Sequence, residues 1–167
     1  MNVEARRSAT QFNISSDAII LFLSGAAFLL HLYAARNYGY FTDELYYLAC
    51  SHHLAWGYVD QPPLIALVTW ITLQLLGESL VALRSIPAMA SAAEIALTGL
   101  IARELGGGRF AQMLACLAAL FAPGILISDG LLTMNAFEPL FWLGCAYLFI
   151  RIVRENTAAG QSSVGSG

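Results

Sequence analysis

A chain of 167 residues that is 58% hydrophobic and only 11% charged, with a mean hydropathy of +0.66, falls far short of the roughly 25% charged content of soluble domains. All eight cations are arginines, lysine is absent, and the net charge of −3 says little, because the distribution of charge matters more than its sum; no nucleic-acid partner is expected. The profile points to an all-α integral membrane protein and leaves a soluble helical bundle a poor second.

Taken in order, residues Met1 to Ser16 are polar and carry Arg6 and Arg7 just ahead of the first apolar run. That run, about 18–35, approaches the roughly 20 residues needed to cross about 30 Å of hydrocarbon. It is longer than the apolar region of a secretory signal, and no A-x-A site closes it. Further spans are expected at about 86–104, 110–128 and 131–150, with Gly106-Gly107-Gly108 and Ser128-Asp129-Gly130 as turns between them. The membrane domain thus covers 1–154, with a disordered tail at 155–167. Cys50, Cys116 and Cys145 share no CxxC spacing, which excludes a disulfide framework or zinc site and leaves buried apolar thiols.

The chemistry is concentrated in the long loop 36–85, above all in YGYFTDELYYLACSHHLAWGYVDQPPL, residues 38–64. It holds three carboxylates (Asp43, Glu44 and Asp60), two histidines and five tyrosines between apolar flanks. Thr42 suits an N-cap, with Asp43 and Glu44 in the first helical turn, where the helix dipole keeps carboxylates ionised. Leu45, Leu48, Ala49 and His52 then share a face, as a helix lying on a membrane surface requires. Pro62 and Pro63 suit a second helix start and Gly77 its end, and sixteen residues between are marginal for a crossing.

Arginine placement decides whether that second helix crosses, because cytoplasmic loops carry the excess of Lys and Arg. If it lies on the surface, Arg6, Arg7, Arg103, Arg109, Arg151 and Arg154 are inside, and only Arg36 and Arg84 are outside. If it crosses, Arg6, Arg7 and Arg84 are inside and the other five outside. The first arrangement is favoured: four spans, with interfacial helices in the first outer loop. Asp43, Glu44 and Asp60 then face the same compartment as Asp129 and Glu138.

A metal site built from His52, His53 and the Asp43/Glu44 pair is geometrically poor. Nine or ten residues of helix separate them by roughly 14 Å, whereas zinc ligands sit about 2 Å from the ion. No residue is assigned to a metal; a divalent ion is compatible with the loop but not required.

FTDELYYLACSHHLAWGYVDQPPLIAL, followed by LRSIPA and a span closing in IARELGG, resembles the N-terminal part of bacterial GT-C fold glycosyltransferases. The nearest group is PMT/ArnT-like, the dolichyl- or polyprenyl-phosphate-sugar-dependent transferases. The resemblance covers roughly 18–150 and implies an outer loop lying along the membrane face. It also implies inverting transfer of a sugar from a polyprenyl-phosphate donor to a lipid or protein acceptor, at the periplasmic face of a bacterial inner membrane. A phosphate leaves without a general acid, so one carboxylate base is enough. By resemblance that base is Asp43, with Glu44 beside it, and Asp60, Arg84, Asn135 and Glu138 contact substrate. Arg84 either pairs with the donor phosphate or orients a carboxylate, and either Asn135 or Glu138 occupies the family's acidic position early in the fourth span. Glu94, mid-span, faces the bundle and has no assigned role. Transferases of this kind continue through many more spans, so the chain reads as an N-terminal portion. The alternative is a non-catalytic membrane protein that assists assembly or binds a lipid-linked substrate.

Overall fold

The computed structural model describes residues 14–164, with side chains for 16–157; Arg6, Arg7 and 165–167 lie outside the described residues. Within them the chain forms helices, turns and bends and no strand. Helix α1, Ile14–Ala35, is followed by two helices of the long loop, α2 (Thr42–Ser51) and α3 (Pro63–Leu76). Then come α4 (Leu80–Glu104), α5 (Arg109–Leu120), α6 (Pro123–Ser128), a 3-10 turn at Met134–Ala136 and α7 (Glu138–Val164).

Three helical stretches have the length and apolarity to cross a membrane: Ser16–Ala35, Leu80–Glu104 and Met134–Thr157. The chain is an integral membrane protein of the all-α class. Its boundaries differ from those expected, each time for a local reason. α4 starts at Leu80 rather than 86 because Ser79 caps it, its hydroxyl accepting the Ala82 N–H at 3.1 Å. The stretch 110–128 is not one helix: it breaks between Leu120 and Pro123. Proline disfavours helical backbone in the residue before it, and Ala122 is extended (φ −67°, ψ 118°). The last helix begins at Glu138 rather than 131, with Pro139 in its opening turn, where a missing N–H is harmless. It runs on through 155–164, where a disordered tail was expected; that stretch contains no proline and includes Ala158-Ala159, the strongest helix former.

Ion pairs and a guanidinium contact define the packing. Asp17 at the start of α1 bonds Arg103 at the end of α4 (2.6 Å), while Ala35 at the end of α1 accepts from Arg84 near the start of α4 (3.3 Å). The two helices are therefore antiparallel. α7 runs parallel to α4, with Arg154 on Glu104 at 2.6 Å. α5 packs back against α1 and α4.

Two apolar cores result. One, at the Arg103 end, comprises Ile20, Leu23, Ala27, Ile95, Cys116 and Leu120. The other joins the long loop to the bundle through Tyr47, Ile65, Leu83, Ala90, Leu132, Ala136 and Phe137. At about 1.5 Å per residue the fourteen residues of α3 extend about 21 Å, short of a bilayer core. Between α2 and α3 the Tyr58 hydroxyl accepts the Ala55 N–H (3.2 Å) and lies 3.1 and 2.9 Å from the carbonyl oxygens of Cys50 and His53. That closes a loop whose Trp56 and Val59 are fully exposed.

Gly99 sets the approach of three helices. A Cβ there would meet Cys116 Sγ and Ile20 Cγ1, each at 2.8 Å. Gly99→Ala is therefore expected to lower stability by about 1–3 kcal/mol, read as thermal unfolding in detergent; an unchanged unfolding temperature would contradict this packing.

Candidate active site

Helix α1 ends at Ala35 with carbonyls that have no partner in their own helix, and Arg84 of α4 points directly at them. Its Nη1 donates to the carbonyls of Ala35 and Tyr38, both at 3.3 Å, and its Nη2 to that of Gly39 at 2.8 Å. Nε and Nη2 also donate to the two oxygens of Glu44, at 2.7 and 2.8 Å. All five N–H groups of the guanidinium are thereby engaged.

Glu44 is equally saturated. It is the third residue of α2 and reaches back to the Phe41 N–H (2.9 Å), the carboxylate half of a capping box. Its other oxygen accepts the Leu132 N–H (3.1 Å), from the segment leading into α7. Both side chains are buried, Glu44 completely and Arg84 to 2% exposure. Burial opposes the charge on Glu44, but Arg84 and the two backbone N–H groups outweigh it and hold the carboxyl below its usual range.

One residue earlier, Asp43 is exposed on the same first turn. The neighbourhood is aromatic: Tyr46 donates to Asp60 at 2.8 Å, and that bond is the main reason its phenol is pushed up to about 12. Tyr47 is buried beside it, and its phenol is raised first by burial and then by the charges of Asp43 and Asp60. The Tyr47 hydroxyl also faces the Met134 backbone N–H, which brings the 3-10 turn to the same place. A cavity of about 630 Å³ opens here, lined on one side by Pro62, Leu64 and Ile65, and on the other by residues of the turn and α7 that include Asn135 and Glu138.

Asp43, Asp60 and the Met134 turn therefore converge around Tyr47, and Asn135 and Glu138 share a cavity wall. All five Arg84 N–H groups are engaged, two of them on Glu44, and Glu44 has every favourable acceptor direction filled in that ion pair, which buttresses the start of α2. Asp129, expected on the exposed acidic rim, is completely buried, because the turn after α6 folds inward against α4. Asn135 sits in the 3-10 turn ahead of the last helix instead of inside it. Tyr46, Tyr47 and the Leu132 N–H escaped the sequence reading; the tyrosines could have been found from their i, i+3 and i+4 spacing from Asp43, but a backbone donor 88 residues from Glu44 leaves no local trace. Among the described residues no three His, Cys, Asp or Glu side chains group as a metal site.

Removing either partner of the buried pair strands the other charge. Arg84→Ala and Glu44→Gln are each expected to cost about 3–5 kcal/mol, measured by thermal unfolding of the purified chain in detergent. Because the folded carboxyl lies below its ordinary value of 4.5, its contribution is present above that pH and lost as pH falls through the folded value. Glu44→Gln should abolish that part of the acid sensitivity, and an acid profile identical to the wild type would contradict it.

Comparison with curated proteins and with solved structures returns no match. A family model does match, over residues 60–163, from Asp60 through the cavity wall to the last helix; it lies downstream of Asp43 and Glu44. Since that match spans well over half of the 167 residues, the chain belongs to the dolichyl-phosphate-mannose-protein mannosyltransferase family, a group of membrane glycosyltransferases.

Proposed function

We propose that the chain takes part in the inverting transfer of a sugar from a polyprenyl-phosphate donor to an acceptor at the non-cytoplasmic face of the membrane. The observation that carries this reading is the contrast within one dipeptide. Glu44 is locked to Arg84, while its neighbour Asp43 is exposed and acts on Tyr47, whose hydroxyl faces the Met134 N–H in the wall of the aromatic cavity. One carboxylate is fixed and one is available.

In this reading Asp43 takes the proton of the acceptor hydroxyl or amine. The acceptor's lone pair forms the new bond to the anomeric carbon from the face opposite the phosphate, and the bond from that carbon to the phosphate oxygen breaks. Polyprenyl phosphate departs with the electron pair as an anion that needs no proton, so a second acid is unnecessary. Asn135 and Glu138 bind sugar hydroxyls at the cavity wall, and Asp60, oriented by Tyr46, contributes to the same polar rim.

The topology that goes with it has four crossings. α1, α4 and α7 supply three, and α5 with α6, broken at Ala122, supplies the fourth, while α2 and α3 lie along the outer surface. Arg103, Arg109, Arg151 and Arg154 then fall at the cytoplasmic end.

Asp43→Asn should lower sugar transfer from polyprenyl-phosphate donors by about 10²–10⁴-fold while leaving the donor KM nearly unchanged; transfer at the wild-type rate would remove the base assignment. For the topology, Asp60→Cys in a Cys145→Ser background should react with an impermeant thiol reagent added outside the cell. Labelling only after the inner face is opened would reverse the orientation.

A further inference from the structure

The cavity beside the 3-10 turn follows one line of α7. Glu138, Phe141, Trp142 and Cys145 all line it, and their i, i+3, i+4, i+7 spacing puts them on a single helix face. Leu148, Phe149 and Ile152 carry the same line onward and are exposed. At about 1.5 Å per residue, the face extends about 21 Å from Glu138 to Ile152. It lies within the span Met134–Thr157, the least covered of the three by the rest of the protein. The flank of the cavity is thus open to acyl chains. On its inner side the cavity is backed by Ile65 and Phe137, which share a core with Tyr47, one turn from Asp43 on α2.

The two ends of this trough differ in chemistry. Asn135 and Glu138 make one end polar, and the other lining residues are apolar, aromatic or a thiol. Among the described residues no arginine or histidine lines it, and Arg84 has all five N–H groups engaged. The positive end of the α7 dipole is already met by Glu138 in the first turn. A phosphate placed here would face a carboxylate with nothing to offset the repulsion. A head that carries no negative charge and donates hydrogen bonds fits: the Glu138 carboxylate accepts them, and the Asn135 amide both accepts and donates. A helix of a second copy packed here would bury Glu138 without a partner. The volume of about 630 Å³ lies within the range of roughly 300–1,000 Å³ common to small-molecule sites.

We propose that this trough seats an amphiphile that enters sideways from the bilayer, with its apolar chain along Phe141, Trp142 and Cys145 and an uncharged or cationic head hydrogen-bonded to Asn135 and Glu138. A glycosyl head meets the requirement with several hydroxyl donors at once. In the sugar-transfer reading this molecule is the acceptor, its hydroxyl or amine is the group that Asp43 deprotonates, and the donor phosphate stays outside the trough. Only the name of acceptor rests on that reading; the preference for a head without negative charge does not.

The test uses the full chain in phosphatidylcholine nanodiscs and an n-decyl glucoside carrying a photoreactive diazirine at the end of its chain, kept below its micelle-forming concentration. Crosslinks located by mass spectrometry should fall on residues 141–152 and saturate as the probe is raised. Plain n-decyl glucoside should block them, and n-decyl phosphate should need about tenfold more to do so. Glu138→Lys should reverse that order, because a phosphate then meets an ammonium group. Cys145→Trp, which fills the trough without touching its polar end, should cut labelling severalfold. Labelling that never saturates and spreads equally over the exposed faces of α1 and α7 would overturn the proposal. So would a phosphate that competes as well as the glucoside in the wild type, or an order unchanged in Glu138→Lys. If the preference holds while no sugar transfer is detected, the amphiphile site stands and the glycosyltransferase reading falls. If transfer proceeds while the glucoside leaves 141–152 unlabelled, the site falls alone.

Discussion

One buried guanidinium holds the functional half of this molecule together. Arg84 gathers the carbonyl end of α1, the Tyr38-Gly39 segment of the loop and the start of α2, and through Glu44 it reaches the backbone of the segment that enters the last helix. Residues 35–44, Arg84 and Leu132 thus meet at one ion pair. The alternatives available to these groups are poor: helix-terminal carbonyls facing apolar surroundings, an unpaired N-terminal N–H and a stranded carboxylate. A buried pair of this kind adds little net stability over an apolar substitute. What it contributes is placement: in this arrangement five guanidinium donors and four carboxylate acceptor directions are filled together.

That constraint separates the adjacent acids: Glu44 is buried and fixed by Arg84, while Asp43, one residue earlier on the same turn, is exposed. The cavity opposite is bounded by rigid elements, the double proline that begins α3 and the short 3-10 turn before α7. The polar rim is thus built from helix ends, where the backbone is unpaired and side chains are recruited to finish the hydrogen bonding.

The class of the protein and the acidic, aromatic stretch between its apolar helices were legible from composition and spacing, because twenty apolar residues in a row or an acidic pair in a first helical turn are local facts; the cap was misplaced by one residue, since Phe41 and not Thr42 precedes the helix. Chain-level breaks were legible too, but misweighted. Ala122-Pro123 lies in plain view inside what looked like one span, and Ser79 announces the start of α4 six residues before the apolar average does. What could not be read was pairing. Arg84 looked equally suited to a phosphate or a carboxylate until Glu44, forty residues away, was placed against it. Ser128-Asp129-Gly130 has the composition of a surface turn, yet Asp129 is completely buried at the end of the short α6.

The loop closed by the Tyr58 hydroxyl has a bearing on all of this. Trp56 and Val59 at its tip touch nothing in the protein, yet an indole is most at ease where acyl chains give way to headgroups. In the surface arrangement proposed above, Trp56, anchored there on a short, braced arm, would act as a float line, and the depth at which Asp43 rides relative to the lipid surface would be set by a residue outside the cavity.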